Sequence, residues 1–353
     1  MDGLIAFHRR LVAQGAQNFF EKLLFALLCL PALLYGAVVW LRNLCYDKGW
    51  SSVYRSAVPV VSVGNLAVGG LGKTPVVDWL VKHFTGQGKR VAVVSRGYAG
   101  NFSGDVGVVS AEKGLRMDPV VAGDEPVLLA RRNPGVPVLI ARKRVAAIRE
   151  IERNFTVDLV LLDDAFQHRS VGRTVDLVLL DAARPLGNGW PLPAGNLREF
   201  PAAINRADLA LLTRVHGPTG QIPGIRTYRS RHVPAGEVVA LDGTSVAVDA
   251  LSGRKLLAFA GIADPDGFFS AVDALGLDVA EKIPLADHVS YSSDILQKIA
   301  DASKRVDALI TTEKDAVKLR ADMFELPCYQ VPLKIEIEDA DAFSRHLDTL
   351  LWS

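Results

Sequence analysis

A glycine-rich turn between an apolar strand pattern and a helical pattern constrains the fold more than any other feature of this sequence. The run VVSVGN at 60–65 is followed by LAVGGLGKTP at 66–75, and a helical pattern begins near Thr74. Glycines let backbone amides turn towards phosphate oxygens, and an adjacent helix adds the positive end of its dipole. Strand, turn and helix together predict a nucleotide phosphate loop.

The residues at the core of the predicted loop have distinct expected roles. Lys73 is expected to reach the β- and γ-phosphates, and the Thr74 hydroxyl is expected to bind Mg²⁺. The strict pattern has glycine five residues before Gly72, where this chain has Ala67, so we expect the turn there to differ in shape. The alternative is a glycine-rich turn with a chance Gly-Lys-Thr sequence. The predicted nucleotide-binding residues are Gly69, Gly70, Leu71, Gly72, Lys73 and Thr74.

Short apolar runs separated by polar turns continue along the chain. Continuous rather than alternating Val/Leu runs are typical of a sheet covered on both faces, and helical patterns lie between several of them. We therefore predict an α/β fold of the P-loop NTPase type, with a doubly wound, mostly parallel sheet. The 165–175 connection is short for a parallel crossover, which leaves the pairing there open. The predicted strands are 60–65, 90–97, 137–142, 158–164, 176–182 and 208–214, with helices at 74–85 and 142–153.

With 353 residues, of which 49% are hydrophobic and 22% charged, the chain is long enough for about two domains with large cores. The strands listed so far place a P-loop domain at 51–214. A stretch rich in Gly and Pro, with short β-like pieces, predicts a linker at 215–253. A second, smaller α/β domain follows at 254–353, with strands at 255–261 and 307–315.

The first 50 residues are predicted to be a membrane-associated helical segment. Residues 23–41 form a stretch of 19 without a charge, long enough to cross a bilayer core or to lie deeply in one. Glu21 and Lys22 flank this stretch, and no cleavage site closes it, unlike a secretory signal. The alternative is a buried core helix, although few helices of soluble proteins are apolar all round. Basic residues on both sides do not select an orientation.

Charge and cysteine content exclude several classes of function. A net charge of +1 creates no global field that would favour nucleic acid, so no nucleic-acid partner is expected. The three cysteines form no CxxC pair, which argues against a zinc site and a disulfide framework and fits a reducing compartment. No sequence feature calls for an obligate protein partner.

Five acidic and basic side chains are candidates for chemistry. Asp163 and Asp164 end a predicted strand, where a magnesium site is expected, although two solvated acids are the alternative. Asp124 opens a helical pattern in GDEP, either as an N-cap or as a general base that accepts a hydroxyl proton. His288 in LADHVSY is either a structural histidine or a catalytic one. Arg144, in a basic run, is expected either to meet an anionic headgroup or to be solvated.

The assembled motifs resemble those of the tetraacyldisaccharide 4′-kinase (lipid A 4′-kinase) family. The resemblance implies an ATP-dependent kinase that moves the γ-phosphate to the 4′-hydroxyl of a tetraacylated glucosamine disaccharide 1-phosphate. It also implies Mg²⁺, a membrane lipid substrate and action at the cytoplasmic face of the inner membrane. The matching stretches, within 64–319, are GNLAVGGLGKTP, SRGYAG, GDEP, DDAFQHR, GNGWPLPAGNLREF, FAGIADPDGF, DH at 287–288 and TTEKDAVKL.

The resemblance also assigns expected roles to individual residues. Asp124 and His288 would act as a catalytic dyad across the cleft between the domains, with Asp124 accepting the proton. Asp164 matches the carboxylate of the magnesium site, and Arg198 and Glu199 match positions near the substrate phosphates. The family usually has proline after the LPAG segment and after the Arg-Glu pair, where this chain has Asn196 and Phe200.

Two other classes of function compete with a kinase. One is a P-loop switch or partition-type ATPase that acts through a protein partner at the membrane. A guanine-specific NKxD or TKxD motif is absent from the sequence, and TEKD at 312–315 has the wrong order. The other class is a membrane scaffold that only binds nucleotide, and the acids at 124, 163 and 164 argue against it.

Overall fold

The computed structural model describes residues 7, 10–12, 15–215, 217, 219, 222 and 224–352. Parts of the predicted segment 1–50 and of the predicted linker 215–253 lie outside the described residues. The helices are Phe19–Asp47 (α1), Lys73–Gly86 (α2), Pro119–Ala122 (α3), Asp124–Arg132 (α4), Arg144–Asn154 (α5), Pro265–Ala274 (α6), Ser293–Ala302 (α7), Glu313–Ala316 (α8) and Ala340–Trp352 (α9).

The strands account for most of the buried chain. They are Val60–Asn65 (β1), Val91–Ser95 (β2), Gly107–Ala111 (β3), Gly114–Leu115 (β4), Val138–Ile140 (β5), Leu159–Asp163 (β6), Val175–Asp181 (β7), Leu209–Thr213 (β8), Arg226–Pro234 (β9), Glu237–Ala240 (β10), Ser245–Ala247 (β11), Lys255–Ala260 (β12), Asp278–Pro284 (β13), Ala308–Thr312 (β14), Cys328–Val331 (β15) and Leu333–Ile337 (β16). Most predicted strands are observed within one or two residues of their predicted ends.

The fold is α/β, with a large, mostly parallel sheet and a smaller mixed sheet, which confirms the predicted class. The chain forms two compact units, each built from separated segments. The first unit contains the described residues of Met1–Lys73, Ile151–Arg231 and Ile337–Ser353. The second contains Thr74–Glu150 and His232–Glu336. The domain boundaries given by the sequence stay a prediction.

In the first unit, five parallel strands have the order β9-β8-β7-β1-β6. The short connection between β6 and β7 is explained because β1 lies between them: Val63 is paired with Asp163 on one side and with Leu177 on the other. All six residues of β1 are buried. Parallel order brings the carboxyl ends of β1, β6 and β7 to one edge, where ligands bind in sheets of this kind.

The turn after β6 packs directly on the end of β1. A Cβ atom at Gly64 would lie 2.6 Å from the backbone nitrogen of Phe166, so glycine is needed for this close approach. Phe166 is buried with Leu66, Leu197 and Leu212 in one apolar cluster. This cluster therefore fixes the segment after β6 against the loop after β1.

The second unit contains part of the large sheet and the whole smaller sheet. In its part of the large sheet, β2 pairs in parallel with β5, and β3 runs antiparallel to both β5 and β4. The smaller sheet has the order β11-β10-β15-β14-β12-β13, with a parallel centre and the antiparallel pair β10–β11 at one edge. The predicted strand at 307–315 ends early, because residues 313–316 form α8. This helix carries Lys314, and Lys318 follows it.

Helix α1 exposes most of its apolar side chains. It spans 29 residues, runs through Pro31 and is capped by Asn18, whose Oδ1 accepts from the Glu21 amide at 2.9 Å. Within the described chain it is the one helix long and apolar enough to span a bilayer by length and composition, and 11% of its most apolar stretch is buried. The alternative of a buried core helix is therefore wrong. An apolar face this exposed indicates membrane association.

Candidate active site

The loop between β1 and α2, residues 66–72, is called the phosphate loop below. Gly69 and Gly72 have φ angles of 120° and 74°, in the left-handed region that favours glycine. The Asn65 side chain donates to the Gly69 carbonyl at 3.4 Å, and Arg214 Nη2 donates to the Gly70 carbonyl at 2.7 Å. These two bonds hold the Gly69 and Gly70 carbonyls in place.

Ala67 lies in an antiparallel bridge with Leu197. On either side of this bridge, the Val68 amide donates to the Asn196 carbonyl and the Arg198 amide donates to the Leu66 carbonyl, both at 2.7 Å. A residue in such a bridge has extended backbone, which any side chain tolerates. The loop therefore needs no glycine at 67, and its first half is braced by the segment that carries Arg198.

Asp163 and Asp164 follow one another at the carboxyl end of β6. Asp163 is buried, whereas Asp164 is partly exposed and has a φ of 48°, an uncommon backbone for this residue type. Asp164 Oδ1 accepts from Arg198 Nη1 at 2.8 Å and lies 3.6 Å from Lys73 Nζ. Carboxylate oxygens are the donors that Mg²⁺ prefers, and a nucleotide-bound Mg²⁺ takes only one or two of them.

Asp124 and His288 meet within the second unit, although they are 164 residues apart in sequence. Asp124 Oδ2 lies 3.1 Å from His288 Nδ1. Asp124 is the first residue of α4, whose N-cap is Gly123, a residue that makes no side-chain capping bond. The alternative of an Asp124 N-cap is therefore wrong. His288 has a φ of 57°, a strained backbone typical of functional positions.

Two lysines of the TTEKDAVKL motif complete this cluster. Thr312 caps α8 by accepting from the Asp315 amide at 3.0 Å, which fixes the turn that carries both lysines. Lys314 Nζ lies 3.1 Å from His288 Nε2, and Lys318 Nζ lies 3.4 Å from Asp124 Oδ2. Lys318 also contacts the fully buried Asp315 at 3.3 Å.

The cluster sets the charge state of Asp124. Burial raises the pKa of Asp124. The hydrogen bond to His288 and the charges of Lys318 and Lys314 together lower this pKa by more than burial raises it. The net pKa lies below the ordinary value, so the carboxylate is ionised at neutral pH. Asp124 is thus in the form that can accept a hydrogen bond or a proton.

The SRGYAG and GDEP motifs pack against one another beside this cluster. A Cβ atom at Gly123 would lie 2.3 Å from the Tyr98 carbonyl oxygen, so this contact needs glycine. The Tyr98 ring is exposed and lies 5.3 Å from the His288 ring in an edge-on arrangement. An exposed aromatic ring is therefore held next to the Asp124–His288 pair.

The family of the chain follows from comparison with known proteins. The sequence model of the family described as tetraacyldisaccharide-1-P 4′-kinase matches residues 24–352. The chain belongs to the tetraacyldisaccharide 4′-kinase family. The tetraacyldisaccharide 4′-kinase of Syntrophotalea carbinolica is 45% identical over 99% of both chains, and that of Geobacter sulfurreducens is 41% identical over 98% of this chain and 99% of its own.

A solved structure of the family has the same fold. The crystal structure of LpxK from Aquifex aeolicus in complex with ATP matches with a TM-score of 0.82 and 31% identity, over 93% of this chain and 100% of that one. The protein is an enzyme with the activity of a tetraacyldisaccharide 4′-kinase, in lipid A biosynthesis. A partition-type ATPase and a nucleotide-binding scaffold are thereby excluded.

Two residues predicted near the kinase substrate are enclosed instead. Arg144, at the start of α5, is 2% exposed and donates to the Ala141 carbonyl at 2.8 Å, so it is neither solvated nor placed to meet a headgroup. Glu199 is 1% exposed and accepts from Asn43 and Arg206. A carboxylate would also repel a phosphate. Substrate contacts of Arg144 and Glu199 stay a prediction.

Several site residues of this kinase were not singled out from the sequence. Lys314 and Lys318 stand four residues apart in TTEKDAVKL, a spacing that places both on one side of a helical turn. Gln167 donates to the Asn65 carbonyl at 2.8 Å, and its Oε1 lies 3.2 Å from Arg198 Nη1. Arg214 lacked any local signal, because its contact with Gly70 spans 144 residues of sequence.

Proposed function

We propose that the kinase transfers the γ-phosphate of ATP to the 4′-hydroxyl of a tetraacylated glucosamine disaccharide 1-phosphate. The observation that carries this proposal is that Lys73 and Arg198 both contact Asp164 Oδ1. Asp164 lies at the carboxyl end of β6, beside the phosphate loop. Two cations and a carboxylate at the end of a parallel strand are typical of phosphoryl transfer, which depends on positioning and charge neutralisation.

The phosphate loop would hold the nucleotide. Backbone amides of Gly69, Gly70, Leu71 and Gly72 would bind phosphate oxygens, and Lys73 would neutralise the β- and γ-phosphates. Asp163, Asp164 and the Thr74 hydroxyl would hold Mg²⁺, because all three offer hard oxygen donors. Bound Mg²⁺ would supply charge neutralisation on the phosphates. Arg198, bonded to Asp164, would fix the direction of that carboxylate.

Asp124 would accept the proton of the reacting hydroxyl. The 4′-oxygen forms a bond to the γ-phosphorus, the bond from the γ-phosphorus to the bridging oxygen breaks, and ADP leaves with that electron pair. The hydroxyl proton moves to the Asp124 carboxylate. The lowered pKa of Asp124 supports this role by keeping the carboxylate ionised before the reaction.

His288 would orient Asp124 rather than take the proton itself. The Lys314 ammonium only donates hydrogen bonds, so the facing Nε2 of His288 accepts, and Nδ1 carries the hydrogen that points to Asp124. In this tautomer the Nδ1–H group of His288 donates to the carboxylate. Lys318 would hold the same oxygen from another side.

Helix α1 would bring the kinase to its substrate at the cytoplasmic face of the inner membrane. Withdrawing an acylated lipid from a bilayer costs about 0.8 kcal/mol for each buried CH₂ group. The enzyme must therefore approach the membrane, and the exposed apolar side chains of α1 support such an approach.

The test supplies γ-labelled ATP, Mg²⁺ and the acylated disaccharide 1-phosphate to the purified enzyme. Label in the lipid, at the 4′-position, is the expected result, and Lys73→Ala should abolish it. Label released only as inorganic phosphate would contradict the proposal.

A further inference from the structure

Three consecutive residues next to the candidate magnesium site are held by the apolar helix α1. The Tyr35 hydroxyl donates to the Arg198 carbonyl at 2.9 Å, and Asn43 Nδ2 donates to Glu199 Oε2 at 2.6 Å. Phe200 lies against Gly36 so closely that a Cβ atom there would lie 2.4 Å from its ring. The Arg198 carbonyl and the side chains of Glu199 and Phe200 thus all contact one helix.

The buried Glu199 side chain stabilises the contact between α1 and segment 198–200. Its buried carboxylate receives two bonds from Arg206, at 2.9 and 3.0 Å, besides the bond from Asn43. A buried carboxylate is stable only while it is paired and hydrogen-bonded. Asn43 is itself a buried amide in a largely apolar helix, so the two groups satisfy one another.

A second motif segment is attached to the same end of α1. Arg169 donates to the Asn43 carbonyl at 2.9 Å and to Asp47 Oδ1 at 2.6 Å. Arg169 ends the DDAFQHR segment, which begins with Asp163 and Asp164. Helix α1 therefore holds both segments that supply the Asp164–Arg198 pair.

The contacts lie on a different face of α1 from its exposed apolar side chains. Ala32, Gly36 and Asn43 are buried, at spacings of four and seven residues that place them on one helix face. Leu27, Leu30 and Leu34 are exposed, at spacings of three and four that define another face. One helix thus has a face for the enzyme and a face for a bilayer.

We propose that α1 is a positioning element for phosphoryl transfer as well as a membrane anchor, with Tyr35, Asn43 and Glu199 as its positioning residues. Through them it fixes the backbone of Arg198, so that the Arg198 guanidinium meets Asp164 at 2.8 Å. This inference rests on the proposed function of Asp164 and Arg198. Glu199 then acts through Arg198 and never touches the substrate.

Phe200 adds a packing contact to this attachment. Its phenyl ring fills the space that Gly36 leaves on α1. A larger residue at 36 has to displace this ring. Gly36 and Phe200 therefore depend on one another for close packing of segment 198–200 on the helix.

The experiment separates positioning from anchoring. Variants Asn43→Leu and Tyr35→Phe are assayed on a detergent-dispersed, short-chain acylated disaccharide 1-phosphate, and their binding to phosphatidylethanolamine/phosphatidylglycerol vesicles is measured by flotation. We expect kcat to fall about 10- to 100-fold for Asn43→Leu, as for other residues that orient a metal ligand, with an unchanged KM for ATP and full vesicle binding. Tyr35→Phe should lower kcat less, since it removes one hydroxyl.

Controls and a rescue complete the test. Val38→Leu, on the exposed face, should keep wild-type kcat. The double variant Asn43→Asp/Glu199→Gln exchanges the amide and the carboxylate. It should recover part of the kcat that the single variant Asn43→Asp loses. Wild-type kcat in both Asn43→Leu and Tyr35→Phe would overturn the inference and leave α1 an anchor only. Retained activity in Lys73→Ala and Asp164→Asn would instead overturn the proposed function, a distinguishable result.

Discussion

His288 donates through Nδ1 to Asp124 Oδ2 at 3.1 Å, because its other ring nitrogen faces the Lys314 ammonium at the same distance. The Asp124 carboxylate therefore has an attached donor, and one lysine contacts each residue of the pair: Lys314 contacts His288, and Lys318 contacts Asp124. These contacts keep the Asp124 carboxylate ionised and fix its orientation, both of which a proton acceptor requires.

Asp124→Asn should lower kcat about 10²–10⁴-fold, the usual range for the loss of general base catalysis. Asn keeps the size of the side chain and removes its ability to take a proton. The melting temperature should fall modestly, because Asn removes the ionised carboxylate that pairs with His288 and Lys318 but does not remove the cap of α4. Steady-state kinetics with saturating Mg·ATP measure the effect. Glu125→Gln, a neutralisation one residue away, serves as the control, and an active Asp124→Asn enzyme would reject the base.

His288→Ala should lower kcat less than Asp124→Asn, since His288 orients the base and does not replace it. The double variant should be little worse than Asp124→Asn alone, because residues that act as a unit are not additive. The KM for ATP should hardly move. Measuring kcat for both single variants and the double variant tests this, and fully multiplicative losses would mean that the two residues act independently.

The pH dependence follows from the lowered pKa of Asp124. A carboxylate with a depressed folded-state pKa stabilises the fold above its unfolded pKa of about 3.9 and loses this contribution as pH falls through the folded value. Between pH 5 and 8, wild-type kcat/KM should therefore show no acid limb from Asp124. Lys318→Met removes one lowering charge and leaves the burial that raises the pKa, so its acid limb should appear at higher pH. Superimposable profiles would contradict the role of Lys318.

Features encoded by neighbouring residues could be predicted from the sequence. The phosphate loop and the strands β1, β6, β7 and β8 follow from Gly-Lys-Thr and from continuous Val/Leu runs, both of which are local patterns. The candidate residues Asp124 and His288 came from motifs. Their contact could be expected only from the family resemblance, since no local pattern joins positions 164 residues apart.

Features that depend on distant contacts could not be predicted. The order of β6 and β7 was open, because a short connection does not reveal that β1 lies between them. Glu199 was predicted to lie near the substrate phosphates. The sequence did not indicate its contact with Asn43, because Asn43 is 156 residues away on a helix predicted only as an anchor. Residue spacing also gave no sign that Ala67 pairs with Leu197. Each missed relationship is set by tertiary packing.

Lys73→Ala should lose most turnover with the fold intact. The Lys73 ammonium is 3.6 Å from Asp164 Oδ1 and is the proposed partner of the β- and γ-phosphates. Arg198 remains on Asp164, so the carboxylate keeps one cation and the melting temperature should change little. Single-turnover assays with saturating ATP and Mg²⁺ measure the loss. Near-normal kcat under these conditions would contradict the role of the loop.

The exposed face of α1 provides the last prediction. Replacing Leu27, Leu30 and Leu34 by serine removes apolar surface that is solvent-exposed in the structure and leaves the contacts of Tyr35, Gly36 and Asn43 in place. Burying a leucine side chain is worth about 1.5–3 kcal/mol, so vesicle binding should weaken by well over tenfold.

Activity on long-chain substrate in vesicles should fall with vesicle binding, whereas kcat on the dispersed short-chain substrate should stay near wild type. This pattern is the reverse of that expected for Asn43→Leu, which keeps vesicle binding and loses turnover. Flotation and the two substrate assays, run on both variants, therefore assign anchoring and positioning to separate faces of one helix. Equal losses on the two substrates in the triple serine variant would show instead that the exposed face supports the fold.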